Sequence, residues 1–132
     1  MGAVIVSTPQ DLALIDATRA IELFDSAGVP VIGVVENMAI HVCPQCGHTQ
    51  PIFGEGGGQR MAEQYQAPCL GSLPLTLGIR EQTDRGQPTV VADPNSEAAH
   101  IYCNIARKLA AHVATLPRDL SAKFPPIVVQ TS

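Results

Sequence analysis

Short apolar runs alternate with helical patterns along the chain, and this alternation predicts an α/β fold. Residues 3–6 and 30–35 are continuous apolar runs, typical of strands that are buried on both faces of a parallel sheet. The helical pattern between them ends at Gly28, so the three segments predict a right-handed βαβ unit. Residues 69–73 are a third candidate strand. We therefore expect a mainly parallel sheet of three to five strands with helices on both faces.

The helical segments carry signals for where they begin and which side they bury. Thr8 is the predicted N-cap of the first helix, with Pro9 at the first helical position and Asp11 completing a capping box. The predicted buried stripe of this helix is rich in alanine and consists of Ala13, Ala17, Ala20, Phe24 and Ala27.

The second half of the chain is expected to be mostly helical after the third strand. The last helix is predicted over residues 97–113 and is capped by Asn95 or Ser96. Its predicted apolar stripe is Ala98, Tyr102, Ile105, Leu109 and Val113. The remaining segments are two short helices and one extended piece, at residues 59–66, 79–85 and 89–91.

Composition and charge exclude several classes of partner. The chain has 132 residues, about one domain, with Lys+Arg 8 against Asp+Glu 12 and a net charge of −4. A nucleic-acid partner would require a basic face, so none is expected. No apolar run approaches the roughly 18 residues of a membrane helix, so no membrane partner is expected either. Nothing indicates secretion, and we expect a reduced, cytoplasmic protein.

The strongest chemical signal is Cys43-x-x-Cys46, within a Gly- and Pro-rich loop at residues 39–58. Two thiolates at this spacing can bind one metal ion from one side of a turn, but zinc or an iron–sulfur cluster requires four ligands. A second chain could supply the same pair across a two-fold axis. Other sources are side chains of the same chain, namely His41, His48, Cys69 and Cys103. A redox dithiol or an unoccupied surface turn are the alternatives, and the loop context disfavours the dithiol.

The Gly-rich run at residues 54–58 contains no lysine, and no G-x-x-x-x-G-K-S/T phosphate loop occurs in the 132 residues. Its backbone could bind an anion, although such runs are more often simply mobile. Phosphoryl transfer depends on the phosphate loop, its lysine and a metal-holding acid. We therefore expect this chain alone neither to hydrolyse ATP nor to bind it tightly.

Five motifs follow one another along nearly the whole chain: Ser7-Thr8-Pro9-Gln10-Asp11, Gly33-Val34-Val35-Glu36-Asn37-Met38, the Cys43-x-x-Cys46 loop, Pro51-Ile52-Phe53-Gly54 and Leu70-Gly71-Ser72-Leu73-Pro74-Leu75. In this order they resemble the Mrp/ApbC family of MinD-like P-loop ATPases. The resemblance identifies residues 1–116 as the C-terminal half of such a doubly wound nucleotide-binding domain, without its P-loop half. Residues 117–132 are expected to be a loosely ordered tail. Residues 3–7 should form an open sheet edge, because the strand beside them belongs to the other half.

The resemblance implies a role in iron–sulfur cluster assembly. Family members carry clusters and transfer them to recipient apoproteins, and the full-length proteins use ATP and Mg²⁺. It implies that Cys43 and Cys46 of two chains hold a bridging [4Fe–4S] cluster, with zinc as a possible substitute, in a homodimer formed through the CxxC loop. It also implies that Asn37 recognises adenine and that Pro74 and Leu75 line the base pocket. The alternatives are a zinc-binding CxxC dimerisation module and an inactive truncated fragment.

Overall fold

The computed structural model describes residues 2–116, which form an α/β fold. Its elements, in chain order, are β1 (Ala3–Ser7), α1 (Asp11–Ser26), β2 (Val31–Glu36), β3 (His41–Val42), β4 (Thr49–Gln50), α2 (Gly57–Gln64), β5 (Cys69–Ser72), α3 (Leu77–Asp84), α4 (Thr89–Ala92) and α5 (Glu97–Thr115). The predicted tail at residues 117–132 lies outside the described residues. No helix within residues 2–116 is long and apolar enough to cross a membrane.

The main sheet has three parallel strands in the order β1–β2–β5, and β3 pairs with β4 as a separate antiparallel hairpin. The predicted parallel sheet and its three strands are therefore confirmed to within a residue or two. Within the described residues β1 lies at one edge of the sheet, and its Val6 side chain is 59% exposed. This arrangement agrees with the expected open edge at residues 3–7.

Helices cover both faces of the sheet, as the pattern predicts. On one face α1 and α2 pack over a core cluster that consists of Ile5, Ile21, Val34, Met61 and Ala62. On the other face α5 packs over Val35, Leu70 and Leu73. The connections from β1 to β2 and from β2 to β5 step across the sheet in the same direction. Because crossovers between parallel strands are right-handed, their helices α1 and α2 are expected on the same face, as observed.

The first helix begins later than predicted, and its packed stripe matches the prediction only in part. Thr8 is not the cap, because α1 starts at Asp11 and the N-cap position is Gln10, whose side chain makes no capping hydrogen bond. The buried side chain is Ile21, and Leu14, Ala17 and Phe24 pack beside it. Ala17 and Phe24 of the predicted stripe are therefore confirmed, whereas Ile21 and Leu14 lie outside that stripe. The prediction missed them because α1 also exposes large apolar residues, so its hydrophobic periodicity does not single out one face; these residues are Leu12, Ile15 and Leu23.

The segment at residues 89–91 is helical, which corrects the prediction of an extended piece. Its β-branched residues favour a strand, but the N–H groups of Val91 and Ala92 donate to the Pro88 carbonyl at 2.9 and 3.0 Å and close one helical turn. Contacts with α3 and α5 hold this short helix in place.

The last helix follows its prediction at the start and differs at the end. Ser96, rather than Asn95, is the N-cap, and its Oγ accepts a hydrogen bond from the Ala99 N–H at 3.2 Å. The helix continues to Thr115, two residues beyond the predicted end. Val113 is exposed, so the packed part of the apolar stripe ends one turn earlier, at Leu109.

Candidate functional site

The strands of the main sheet end in a row of polar residues at one edge. Ser7, Glu36 and Ser72 are in register at the carboxyl ends of β1, β2 and β5. Ligands of open α/β sheets bind outside this edge. Because side chains alternate along a strand, Glu36 and the following Asn37 leave the sheet on opposite faces. The Glu36 and Asn37 side chains therefore have different surroundings at this edge of the sheet.

On the α5 side of this edge lies a cavity of about 320 Å³ that we call the Asn37 cavity. It brings together Asn37, Pro74 and Leu75, the three residues singled out for a base pocket by resemblance. Its remaining walls come from the Asn37 turn, α3 and the middle of α5, namely Met38, Thr76, Ile79, Arg80, Thr83, Asp84 and Tyr102. The residues from α3 and α5 could not be assigned to this cavity from the sequence, because only the fold brings them here.

The Asn37 side chain sits in a tight turn at the mouth of the cavity. Its Oδ1 accepts a hydrogen bond from the Met38 N–H at 3.0 Å, and Met38 has a positive φ of 56°. The Asn37 N–H donates to the Ser7 carbonyl at 2.7 Å, which ties the turn to β1. An asparagine held in this way can present its amide to the edge of an adenine, which offers one donor and one acceptor to an amide group.

Cys43 and Cys46 lie at the tip of the β3–β4 hairpin, which we call the cysteine hairpin (residues 41–50). The turn is closed by two backbone hydrogen bonds, from Cys43 N–H to the His48 carbonyl and from Gly47 N–H to the Cys43 carbonyl, both 2.9 Å. Gly47 has a φ of 69°, a left-handed conformation that glycine adopts without strain. Both cysteines are free thiols; Cys43 is half-buried and Cys46 is exposed.

The environment of Cys43 favours its thiolate form. The pKa of the Cys43 thiol is held below its ordinary value by hydrogen bonds to its sulfur. The largest contribution comes from the Cys46 backbone N–H, the next from the Gln45 backbone N–H, and a smaller one from the Cys46 thiol. A thiolate, not a thiol, is the form that binds metal. The tip of the cysteine hairpin therefore offers two adjacent sulfur ligands, and the first of them is favoured in its ligating form.

The other histidine and cysteine side chains of the same chain do not surround this pair of thiols within the described residues. The structure of residues 2–116 contains no group of three or more His, Cys, Asp or Glu side chains that could hold one metal ion. The His41 Nδ1 atom faces the Leu75 carbonyl oxygen at 3.3 Å. Cys69 packs against the α1–α2 core cluster, and Cys103 lines a separate apolar cavity beside α4. The described residues of one chain thus provide a two-thiol half-site.

The Gly-rich run is neither an open anion site nor a plain loop, because the chain's own carboxylate occupies it. Gly57 and Gly58 form the first turn of α2, and the Gly58 N–H donates to Glu36 Oε2 at 2.6 Å. A Cβ atom at Gly58 would lie only 2.7 Å from the Glu36 Cβ. Glycine is therefore required for this close approach, and the buried Glu36 anchors the segment that follows the cysteine hairpin.

Comparison with known proteins gives one family and a set of named relatives. The ParA family described as NUBPL iron-transfer P-loop NTPase matches residues 1–110. An iron–sulfur cluster carrier protein of Pseudomonas fragi is 57% identical over 105 residues, which are 80% of this chain and 37% of that protein. The iron–sulfur cluster transfer protein NUBPL of Mus musculus is 45% identical over 116 residues, 88% of this chain and 36% of that protein. The chain thus spans little more than a third of the length of these relatives.

Solved structures agree on the fold. A nucleotide-binding protein in complex with ADP from Archaeoglobus fulgidus has a TM-score of 0.57 and 34% identity, covering 73% of this chain and 38% of that one. The cell division ATPase MinD of Pyrococcus furiosus has a TM-score of 0.62 at 23% identity, covering 83% of this chain and 42% of that one. The parallel sheet with helices on both faces is therefore the MinD-like architecture.

Proposed function

Because the chain belongs to the NUBPL iron-transfer P-loop NTPase family, we propose that it carries an iron–sulfur cluster as cargo and delivers it to recipient apoproteins. The observation that carries the proposal is the pair of thiols, Cys43 and Cys46, at the tip of a hairpin that projects from the carboxyl edge of the sheet. A cargo site must give up its cluster to another protein, and an exposed hairpin tip is accessible to an acceptor.

The cluster is held between two chains, each of which contributes Cys43 and Cys46. One hairpin provides two of the four thiolates that a [4Fe–4S] cluster or zinc requires, and two-fold symmetry doubles them. Apolar side chains in and beside the hairpin are available to a second copy, since Val42, Ile40 and Ile52 are 41%, 45% and 50% exposed. Loading of the cluster is therefore coupled to formation of a homodimer, with the two hairpins facing each other.

The Asn37 cavity is the adenine end of a nucleotide site. Its volume, its Asn37 amide and its apolar wall at Pro74 and Leu75 suit a purine base. The relative from Archaeoglobus fulgidus, 34% identical, is in complex with ADP, which supports this assignment. Arg80 is the cation in the lining of the cavity, and it pairs with Asp84 at 3.8 Å. The 132 residues contain no phosphate loop, so we expect adenine nucleotides to bind to this chain weakly.

The proposal is tested by anaerobic reconstitution of the chain with ferrous iron and sulfide. We expect visible absorbance of a cluster, a native mass of two chains, and one four-iron cluster for every two chains. Cys43→Ser and Cys46→Ser should each lose the cluster and the dimer, because one substitution removes two ligands at once. Cys69→Ala and Cys103→Ala are the matched controls and should retain both.

Three outcomes contradict the proposal in different ways. A cluster that remains in full after Cys43→Ser overturns the assignment of the ligands. One cluster for each single chain overturns the shared site. Protein that takes up zinc but never iron and sulfide supports a zinc-binding dimerisation module instead.

Transfer of the cluster needs an experiment of its own. The reconstituted protein is mixed with an apoprotein that has a vacant four-cysteine cluster site, and the acceptor should gain the absorbance that the carrier loses.

A further inference from the structure

The hydrogen-bond ladder between β2 and β5 continues past the ends of both strands and reaches the cysteine hairpin. The Leu73 N–H donates to the Glu36 carbonyl at 2.8 Å, the Ala39 N–H to the Leu73 carbonyl at 2.9 Å, and the Leu75 N–H to the Ile40 carbonyl at 2.8 Å. The residue after Ile40 is the first residue of β3, and it forms a parallel β-bridge with Leu75. An unbroken series of bonds therefore joins the sheet to the base of the hairpin.

The side chain of His41 adds a bond at the last step of this ladder. Its Nδ1 atom lies 3.3 Å from the Leu75 carbonyl oxygen. A carbonyl oxygen only accepts, so this bond requires the tautomer with hydrogen on Nδ1, whose N–H donates to the Leu75 carbonyl. The N–H of Leu75 bonds to Ile40 and its carbonyl bonds to the His41 ring, so both backbone polar groups of Leu75 are held by the strand that enters the hairpin.

Leu75 also lines the Asn37 cavity, together with Pro74 and Thr76. The same residue therefore forms a wall of the cavity and the anchoring point of the hairpin. We propose that His41 is a positioning residue that couples occupancy of the Asn37 cavity to metal loading at Cys43 and Cys46. The inference rests on the proposed function, because coupling requires both sites to bind.

The dimensions of the hairpin explain why one side-chain bond matters. Each of its strands has two residues, and an isolated two-stranded hairpin is marginally stable in water at best. Its orientation therefore depends on its attachments. A ligand that presses on Leu75 moves the carbonyl that His41 holds, and a metal that fixes the hairpin fixes Leu75. By linkage, the effect of each site on the affinity of the other is equal.

The second attachment of the hairpin does not connect the same two sites. It is the buried bond from Gly58 N–H to Glu36, downstream of the hairpin. This bond lies on the α2 side of the sheet, and neither Glu36 nor Gly58 lines the Asn37 cavity. Loss of the Glu36 bond should therefore loosen the hairpin without uncoupling it from the cavity, whereas loss of the His41 bond should uncouple the two.

The test uses the 132-residue chain, labelled with ¹⁵N and kept reduced, with Zn²⁺ alone as the probe of the thiol pair and ADP as the probe of the cavity. The amide signal of Gly47 reports binding at the thiols, and the amide signals of Leu75 and Thr76 report on the cavity wall. Substitutions His41→Phe and His41→Leu both remove the donor. His41→Asn restores a donor close to the position of Nδ1, and His48→Leu is the matched control in the same hairpin.

We expect Zn²⁺ to shift Gly47 in all of these proteins and to shift Leu75 and Thr76 in the wild type, His41→Asn and His48→Leu. The Leu75 and Thr76 shifts should fall several-fold in His41→Phe and His41→Leu. Millimolar ADP should give the reciprocal pattern, with a shift at Gly47 that is lost in the same two variants. If one of these two variants does not fold, the other makes the same comparison.

The outcomes separate this inference from the proposed function. Equal Leu75 shifts in the wild type and in the variants without the donor overturn the role of His41 and leave the thiol site intact. The same is true if Zn²⁺ shifts Gly47 but never reaches Leu75. Absence of any Zn²⁺ effect at Gly47 in the wild type overturns the thiol site itself, and the coupling with it.

Discussion

The three-stranded sheet and the cysteine hairpin are both β-structure, but they are held in place by different means. In the sheet, Val34 and Leu70 are 0% and 1% exposed, and helices cover both faces. In the cysteine hairpin no residue is buried, and its own ladder pairs only two residues of each strand. The sheet is stabilised by burial of apolar surface, whereas the hairpin is held by a few hydrogen bonds at its base.

This difference separates the residues that stabilise the fold from the residues that bind. Under the proposed function the chain must load and release its cargo, and a site that is part of the core would have to disturb the core in each step. A hairpin attached to the sheet at Leu75 and Glu36 can change its partner while the core remains packed. Substitutions in the sheet should therefore affect stability, and substitutions at the hairpin tip should affect binding.

The largest expected effect is that of Leu70→Ala in β5. Leu70 is enclosed between the sheet and α5, so its truncation leaves a cavity and should lower the free energy of unfolding by about 2–5 kcal/mol. Val42→Ala in the hairpin is the control, with an expected change within about 0.5 kcal/mol. Urea unfolding of both variants measures the contrast. Similar losses in the two would mean that the hairpin is part of the cooperative core.

A smaller loss is expected from Gly33→Ala in β2. A Cβ atom at this position would lie 2.5 Å from Leu70 Cδ1 and 2.6 Å from its Cγ, and the enclosed Leu70 has little room to move away. Overpacking of this kind costs about 1–3 kcal/mol. Gly78→Ala in α3 is the matched control, because its Cβ would meet nothing within 4 Å; it should raise stability by up to about 1 kcal/mol. Thermal unfolding of the pair checks the opposite signs.

The strands were predictable because a strand that is buried on both faces consists of a continuous run of apolar residues. The runs at residues 3–6 and 30–35 are continuous and apolar, and β1 and β2 form there. The stripe of α1 was not predictable in the same way, because this helix carries apolar residues on its exposed side as well. Residues 89–91 show a related failure, since β-branched composition indicated an extended segment where the chain forms a helical turn.

For the candidate site, the sequence indicated the residues but not the connections between them. Cys43-x-x-Cys46 is a local motif and is visible without a structure, and Asn37 and Pro74 came from the family resemblance. The bond from His41 to Leu75 joins residues 34 positions apart, and the bond from Glu36 to Gly58 joins residues 22 apart. Contacts at such separations depend on the register of β2 and β5, which no short motif encodes.

The next effect in size is that of Glu36→Gln, which tests the attachment on the α2 side. The glutamine keeps an acceptor for the Gly58 N–H but loses the charge that strengthens the bond at the start of α2. We expect a loss of about 1 kcal/mol in the free energy of unfolding. Glu55→Gln is the control, because Glu55 is exposed and lies three residues before Gly58. It should change the free energy of unfolding by less than about 0.5 kcal/mol. Faster amide exchange at Gly58 in the first variant only would locate the effect.

The smallest expected effect on stability belongs to Cys46→Ser at the hairpin tip. In the absence of metal this exposed side chain contributes nothing to the core, so the free energy of unfolding should change by less than about 0.5 kcal/mol. Added Zn²⁺ should stabilise the wild type by mass action, by about 2.7 kcal/mol when the free Zn²⁺ concentration is a hundred times the dissociation constant. It should not change the free energy of unfolding of the variant. Calorimetric melting with and without Zn²⁺ makes the measurement. If the metal-free variant melts as early as Leu70→Ala, the tip is a structural element, and the separation between fold and binding is wrong.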